Sequence, residues 1–393
     1  MSDSGQEVEP PSRQRKADEK DTTQSMLMDG AAPVNGVHVN GLLDGATAFE
    51  PAIAPELELQ RHVAADASRS IEERLEAFED IFDSEIGDTG LTRARNIERE
   101  VALRQIFLKF DGGNPTGTQK DRIAFAQAQD AMRRGFEGMT IATCGNYGAA
   151  VALAASLAGL KCVVFIPQDY HTKRIQEMTR NGAQLVRVPG TYEDAVLVSK
   201  QHAEAEELYD ANPGGANTAL QLQAYGEIAK EIYDDLRDAP AVVAVPVSNG
   251  TTLAGIYRGF VSLYRRGKTS RVPRMVAGSS FGKNPIIQAY IKGAQRCEDL
   301  SPDVIHETAV NEPLVNWHSA DGNLALDAVH ASDGWAAYAT DRGMLTYARL
   351  IREREGLSVL PASTAGLIAL LEHHRREPLP SDRYVVILTG RRT

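Results

Sequence analysis

The residues from Lys109 to Arg122 carry the chemistry that the rest of the 393-residue chain has to position, with Lys120 at their centre. The apolar run Gln105 to Phe110 reads as a strand, Asn114-Pro115 and Gly117 as a turn, and Asp121 to Arg134 as a helix. Lys120 therefore stands at a helix entrance. An ammonium there meets the positive end of the helix dipole and loses hydration, and both effects favour the neutral amine that condenses with an aldehyde. A lysine so placed suits a Schiff base. In isolation the same residue also fits a solvated lysine opening an amphipathic helix.

Three further stretches have residue types that hold polar ligands. Ser248-Asn249-Gly250-Thr251-Thr252 lies between an apolar strand and a helix, where glycine admits an anion close to the backbone and hydroxyl and N–H groups donate to it. It is a phosphate cradle in type, although strand-to-helix connectors share its composition. Thr143-Cys144-Gly145-Asn146-Tyr147-Gly148 offers hydroxyl, amide and backbone donors at another strand end, suited to a carboxylate or a ring hydroxyl, or simply to capping a helix. Cys144 lacks an assignable base and reads as a small lining residue. Leu388-Thr389-Gly390 closes the last strand with a hydroxyl able to donate to a ring nitrogen, or with an ordinary turn.

The elements that must position these stretches alternate. Met139–Thr143, Cys162–Ile166, Gln184–Val188, Ala241–Val247, Arg274–Ser279, Leu357–Leu360 and Tyr384–Leu388 are predicted strands. Helices are predicted over Ser70–Asp83, 147–158, 171–180, 191–208, 218–235, 253–266, Ala339–Glu355 and Ala362–Arg375. This rhythm predicts an α/β fold of two lobes, each a mostly parallel sheet flanked by helices, with ligands beyond the carboxyl ends of the strands.

Composition narrows the class. A formal charge of -11 argues against general affinity for nucleic acid or an anionic membrane. No apolar run approaches the ~20 residues of a membrane span. The three cysteines, Cys144, Cys162 and Cys297, lack metal spacing, so zinc is not expected and a reducing compartment is. Residues 1–65, rich in Ser, Asp, Glu, Gln, Pro and Gly, read as a disordered extension without the pattern of a signal or transit peptide.

Considered in order, the four stretches resemble fold-type II pyridoxal-phosphate enzymes of the tryptophan synthase β superfamily, and within them the threonine synthase-like branch, over residues 85–393. Asn114-Pro115-Thr116-Gly117-Thr118-Gln119-Lys120-Asp121-Arg122 is similar to the family's lysine motif Asn-Pro-Thr-Gly-Ser-Phe-Lys-Asp-Arg. Pro361-Ala362-Ser363-Thr364-Ala365-Gly366 and a Gly87-Asp88-Thr89-Gly90-Leu91 counterpart of Gly-Asn-Thr-Pro-Leu support it. The resemblance implies that Lys120 carries the Schiff base to pyridoxal 5'-phosphate, Asn146 bonds the cofactor's 3'-oxygen, Ser248 to Thr252 hold its phosphate, and Thr389 faces its pyridine nitrogen. Lys109 would contact a substrate phosphate. Thr116 and the loop Thr143, Cys144, Gly145 and Tyr147 would contact the amino-acid substrate. It further implies a large cofactor-binding domain of residues 66–113 plus 224–393, a small α/β domain of 114–223, a cytoplasmic location and a homodimer.

Departures fall on the substrate side. Gln119 replaces Phe, Ile123 replaces Gly, Ser248 replaces Gly, and Tyr147 stands where a small Thr lines the carboxylate loop, which makes Tyr147 a candidate specificity residue. Because a hydroxyl such as that of Thr389 does not hold the ring nitrogen protonated, elimination and replacement are favoured over transamination or racemisation. The expected function is β- or γ-replacement or elimination on a small activated hydroxy-amino acid, O-phospho or O-acyl. Alternatives are a serine/threonine dehydratase, a cysteine or cysteate synthase-type enzyme, and a non-catalytic regulator on the same fold.

Overall fold

The computed structural model describes residues 53–143 and 145–392. Most of the extension lies outside these residues, as does Cys144. In chain order, α1 (Glu58–Ala65) and α2 (Ile71–Glu85) lead into β1 (Leu91–Arg93), α3 (Arg95–Val101) and β2 (Ile106–Phe110). Then come α4 (Lys120–Arg133), β3 (Gly138–Ala142), α5 (Asn146–Leu157), β4 (Lys161–Pro167), α6 (Ile175–Arg180), β5 (Gln184–Val188), α7 (Tyr192–Ala205) and β6 (Tyr209–Asp210). The chain continues through α8 (Thr218–Leu236), β7 (Val242–Pro246), α9 (Thr251–Arg265), β8 (Arg274–Ser280), α10 (Pro285–Ile291) and α11 (Gly322–Ala331). It closes with β9 (Trp335–Ala339), α12 (Asp341–Glu355), α13 (Ala365–Arg376) and β10 (Tyr384–Leu388).

Two sheets divide these strands. Six are ordered β1-β2-β10-β7-β8-β9 and four are ordered β5-β4-β3-β6. Every pairing is parallel except β1 with β2. The α/β class with helices on the sheet faces is therefore present in both. β3, β7 and β10 are buried along their whole length, which is why they read as continuous apolar runs rather than alternating ones. The last strand, β10, pairs with β2 from Tyr384↔Ile106 to Leu388↔Phe110 and with β7 on its other edge. The C-terminus is thus central to the larger sheet.

Several expectations need correction. The stretch 53–65 is not a loose extension: Ile53, Leu57 and Ala64 are buried, α1 is formed, and Arg74 donates to the carbonyls of Ala64 and Ala158 at 3.0 and 2.7 Å. Leu357–Leu360 is no strand, since only Val359 bridges, to Arg391, and Pro361 then starts a 3-10 turn, Pro361–Thr364. The helix expected from Ala339 begins at Asp341, capped by Thr340, because Ala339 ends β9. At Ser70 the expected cap is a full capping box with Glu73.

Candidate active site

The motifs meet because four parallel strands end at one cleft. β2 runs into the loop before Lys120, β3 into Thr143–Tyr147, β7 into Ser248–Thr252 and β10 into Thr389. The cleft has a volume of about 560 Å³, and its walls include Lys120, Thr143, Gly145, Asn146, Tyr147, Ser248, Asn249, Gly250, Thr251, Thr252 and Thr389.

The loop ahead of Lys120 is fixed from several sides. The N–H and hydroxyl of Thr116 donate to the Asp121 carboxylate at 2.8 and 2.7 Å, and Arg174 donates to the Thr116 carbonyl at 2.9 Å. Arg391 donates to the carbonyls of Gly112 and Pro115 at 3.2 and 2.9 Å. Thr116 is thereby a brace beneath the loop: it is buried and does not line the cleft, contrary to the expected substrate contact.

Lys120 opens α4 with its amine 5.2 Å from the centre of the Tyr147 ring and 5.9 Å from that of Tyr225. Burial lowers its pKa to about 8, opposed by the charge of Asp321. This is the range in which an amine is both nucleophilic and able to relay protons. Tyr147 does not offer its hydroxyl to the cleft. That hydroxyl donates to the Ala211 carbonyl at 2.8 Å and accepts from Gln127 at 2.5 Å, so the residue presents a ring face to Lys120. Tyr147 thus lines the cleft with its ring and not with its hydroxyl.

Lys109 is also placed elsewhere. It is fully buried, paired with Glu231 at 2.6 Å, and donates to the Thr89 carbonyl. Arg122 bridges the same Glu231 and Asp111 with paired hydrogen bonds of 2.5 to 3.0 Å. Lys109 therefore neutralises a buried network instead of facing a substrate phosphate.

In the cradle, Gly250 has φ +95°, and a Cβ there would stand 2.8 Å from the Ala325 Cβ and 2.9 Å from the Asp321 carbonyl. Glycine is required both for that backbone conformation and for that space. The turn delivers the chain into α9, whose leading N–H groups have no partner within the helix and attract an anion. The turn is held from behind: the Asn249 side-chain oxygen accepts from Asn316 and Ala320, both at 3.2 Å, and Thr251 donates to Asp321 at 2.5 Å. Across the cleft, the Thr143 hydroxyl accepts from the N–H groups of Gly145 and Gly148 at 3.0 and 3.2 Å, which folds the loop that presents Asn146.

Thr389 is within 3.1 Å of the Ser363 hydroxyl, and Ser363 accepts the Gly390 N–H at 3.2 Å. With Ser363 as donor to Thr389, the threonine proton is left for an acceptor in the cleft. An aldehyde-seeking amine, a glycine-turned helix N-terminus and a neutral donor at a strand end match the aldehyde, phosphate and pyridine nitrogen of pyridoxal phosphate. Among the described residues no group of His, Cys, Asp and Glu is arranged to hold a metal.

Sequence reasoning missed the supports. Glu231, Asp321, Tyr225 and Arg174 lie far along the chain from Lys120, and no local pattern couples them to it. Ser363 lies within the Pro361–Gly366 stretch, and Arg391 follows Thr389-Gly390, so both had a local signal.

Comparison with known proteins agrees with this geometry. A family model described as pyridoxal-phosphate dependent enzyme matches residues 82–390. The threonine synthase of Methanocaldococcus jannaschii is 31% identical over 309 residues, covering 77% of this chain and 74% of that protein. That of Methanosarcina acetivorans is 27% identical over 305 residues, covering 77% and 74%. Maize serine racemase shares the fold with a TM-score of 0.68 at 18% identity, covering 81% of this chain and 92% of the other. The processed form of threonine deaminase isoform 2 from Solanum lycopersicum gives 0.66 at 16%, covering 88% and 92%. The chain belongs to the pyridoxal-phosphate dependent enzyme family.

Proposed function

We propose that this enzyme catalyses β- or γ-replacement or elimination on a small activated hydroxy-amino acid in the manner of the threonine synthases it is similar to, with a free hydroxy-amino acid, as a serine/threonine dehydratase would use, as the alternative. Bound in the cleft, pyridoxal phosphate supplies an aldehyde for covalent attachment and a ring that takes up electrons from the α-carbon of an amino acid. Lys120 is the attachment point. Once an amino acid displaces it, its free amine removes the α-proton and later returns a proton to the product. Ser248 to Thr252 hold the phosphate, Asn146 meets the ring oxygen, and the loop that Thr143 folds, with the leading N–H groups of α5, receives the substrate carboxylate. The Tyr147 ring limits the space beside Lys120.

Thr389 decides the reaction type. A neutral hydroxyl donates to the ring nitrogen without keeping it protonated, which weakens the electron sink and favours prompt loss of a leaving group over reprotonation. The reading is supported above all by one observation: Lys120, with its pKa near 8, shares a cleft with Thr389, whose hydroxyl is paired with the buried Ser363. Location in the cytoplasm and assembly as a homodimer complete the proposal, the latter tested by light scattering of the purified protein.

Incubation with O-phospho-L-homoserine, O-phospho-L-serine, O-acetyl-L-serine, L-serine and L-threonine tests it. A keto acid or a substituted amino acid from at least one of them is expected. Racemised or transaminated substrate as the sole product would overturn it.

A further inference from the structure

The walls of the cleft beyond the motifs are acidic. Asp169, Glu193, Glu307 and Glu312 line them, whereas Lys120 is the single Lys or Arg among the described lining residues. The other buried cations of the region are already engaged: Lys109 and Arg122 with Glu231, and Arg174 and Arg391 with carbonyls of the lysine loop. The acidic wall is also built rather than incidental. Its segment 302–317 is tied to the phosphate cradle through Asn316 and Asn249 at 3.2 Å, and to the small sheet's helix α7 through the Trp317 N–H and Glu193 at 3.3 Å. Glu312 opens the 3-10 turn Glu312–Leu314 within that segment and takes a hydrogen bond from Tyr170.

A phosphate ester carries a charge near -2 at neutral pH, and its recognition sites in proteins are supplied with Arg, Lys or free helix N-termini. Here the helix N-terminus of α9 belongs to the cofactor cradle, and the side chains left for a substrate are the four carboxylates, neutral groups such as Thr191 and Asn316, and the His306 imidazole, with no Lys or Arg among them. We infer that, given the replacement or elimination reading above, the substrate side chain ends in a hydrogen-bond donor without negative charge, a hydroxyl or an amine, held by Glu312 and Glu307, and that phosphate esters are excluded. Burial, opposed by the Tyr170 hydrogen bond and reinforced by the neighbouring charge of Glu307, raises the Glu312 carboxyl to about 7, which suits a group that accepts a hydrogen bond from a donor and exchanges a proton with it.

The test uses the holoenzyme with L-threonine, L-2,3-diaminopropionate, O-phospho-L-serine and O-phospho-L-homoserine. Binding is read from the change in cofactor absorbance and turnover from product. The hydroxyl or amine compounds should bind at least about tenfold more tightly than the phosphate esters, and Glu312→Gln should shrink that ratio several-fold while the cofactor spectrum stays unaltered. The threonine and diaminopropionate arms separate hydroxyl from amine. Tighter binding of a phosphate ester, or a ratio untouched by both Glu312→Gln and Glu307→Gln, overturns the inference. Failure of all four to turn over, with the binding preference intact, would instead sink the replacement or elimination reading and leave the preference standing.

A separate observation concerns Tyr225. It is fully buried on α8, its ring lies beneath the Lys120 amine, and its hydroxyl faces Thr252 of the cradle without closing a hydrogen bond of ordinary geometry. A buried hydroxyl without a partner is destabilising, so its retention points to a ligand that completes it. The geometry points to Tyr225 as a further donor to the phosphate group bound at Ser248–Thr252. Tyr225→Phe should raise the Kd for pyridoxal phosphate, measured by equilibrium dialysis, about tenfold, and shift the bound phosphorus resonance, without lowering the Tm of the cofactor-free protein. An unchanged Kd, or an equal fall in Tm with and without cofactor, overturns the assignment.

Discussion

The N–H of Gln119 donates to the carbonyl of Thr389 at 2.9 Å, so the residue before the proposed attachment lysine is hydrogen-bonded to the residue proposed to face the ring nitrogen. Two groups 270 positions apart are thus fixed relative to each other by backbone, in a cleft where both ends of one cofactor must be gripped. The neighbouring Arg391 N–H to Gly117 carbonyl bond, at 2.8 Å, doubles the clamp.

The Lys120 amine should reveal its depressed pKa in the cofactor-free enzyme. With a value of about 8 the neutral fraction, and hence the rate of cofactor attachment, rises with pH and levels off above that point, where an ordinary lysine would continue to rise to 10.5. Because the Asp321 charge opposes the depression, Asp321→Asn should move the midpoint lower still. Stopped-flow absorbance against pH checks both directions.

Thr389→Asp should convert the ring from a weak to a strong electron sink. Transamination, scored as pyridoxamine phosphate formed per product released, should increase about tenfold and elimination should fall. An unaltered product partition would remove the electronic argument from Thr389.

Glu231 supplies a stability prediction. Although burial opposes ionisation, its bonds to Arg122 and the charge of Lys109 prevail and hold the carboxyl at about 2 in place of 4.5. Its stabilisation is complete above 4.5 and is lost as pH falls toward 2, because the unfolded chain takes up the proton first. Glu231→Gln should flatten that acid limb and weaken the protein at neutral pH by ~3 kcal/mol in urea unfolding, since Lys109 loses its counter-charge. If Lys109→Met instead raises KM with no loss of stability, the substrate role returns.

Truncation separates the two parts of the N-terminal stretch. A chain starting at Ala52 keeps Ile53, Leu57 and Ala64 in place, whereas one starting at Asp66 exposes what they cover and frees Arg74 from Ala64. The second should be less stable than the first by ~2–4 kcal/mol. Equal melting temperatures would show that α1 contributes nothing.

What the sequence discloses and what it hides follow one physical rule. Lys120, Gly250, Asn146 and Thr389 are legible because each follows a buried parallel strand, whose apolar run and terminal turn are local features. The orientation of a side chain is not local. Tyr147 reads as a pocket phenol until Ala211 and Gln127 claim its hydroxyl, and Lys109 reads as a phosphate ligand until Glu231, more than a hundred residues on, neutralises it. β9, Trp-Ala-Ala-Tyr-Ala, is hidden because alanine has little preference for strands, and its last residue reads as part of the following helix. The acidic wall is hidden for the same reason as the ion network, since its carboxylates come from separate segments.

The most direct measurement is borohydride reduction of the holoenzyme followed by peptide mapping. Loss of the absorbance at about 410 nm and a single pyridoxyl label on Lys120 are expected, with Lys120→Ala folded yet unlabelled and inactive. A label on another lysine, or full activity in Lys120→Ala, would contradict Lys120 as the attachment point.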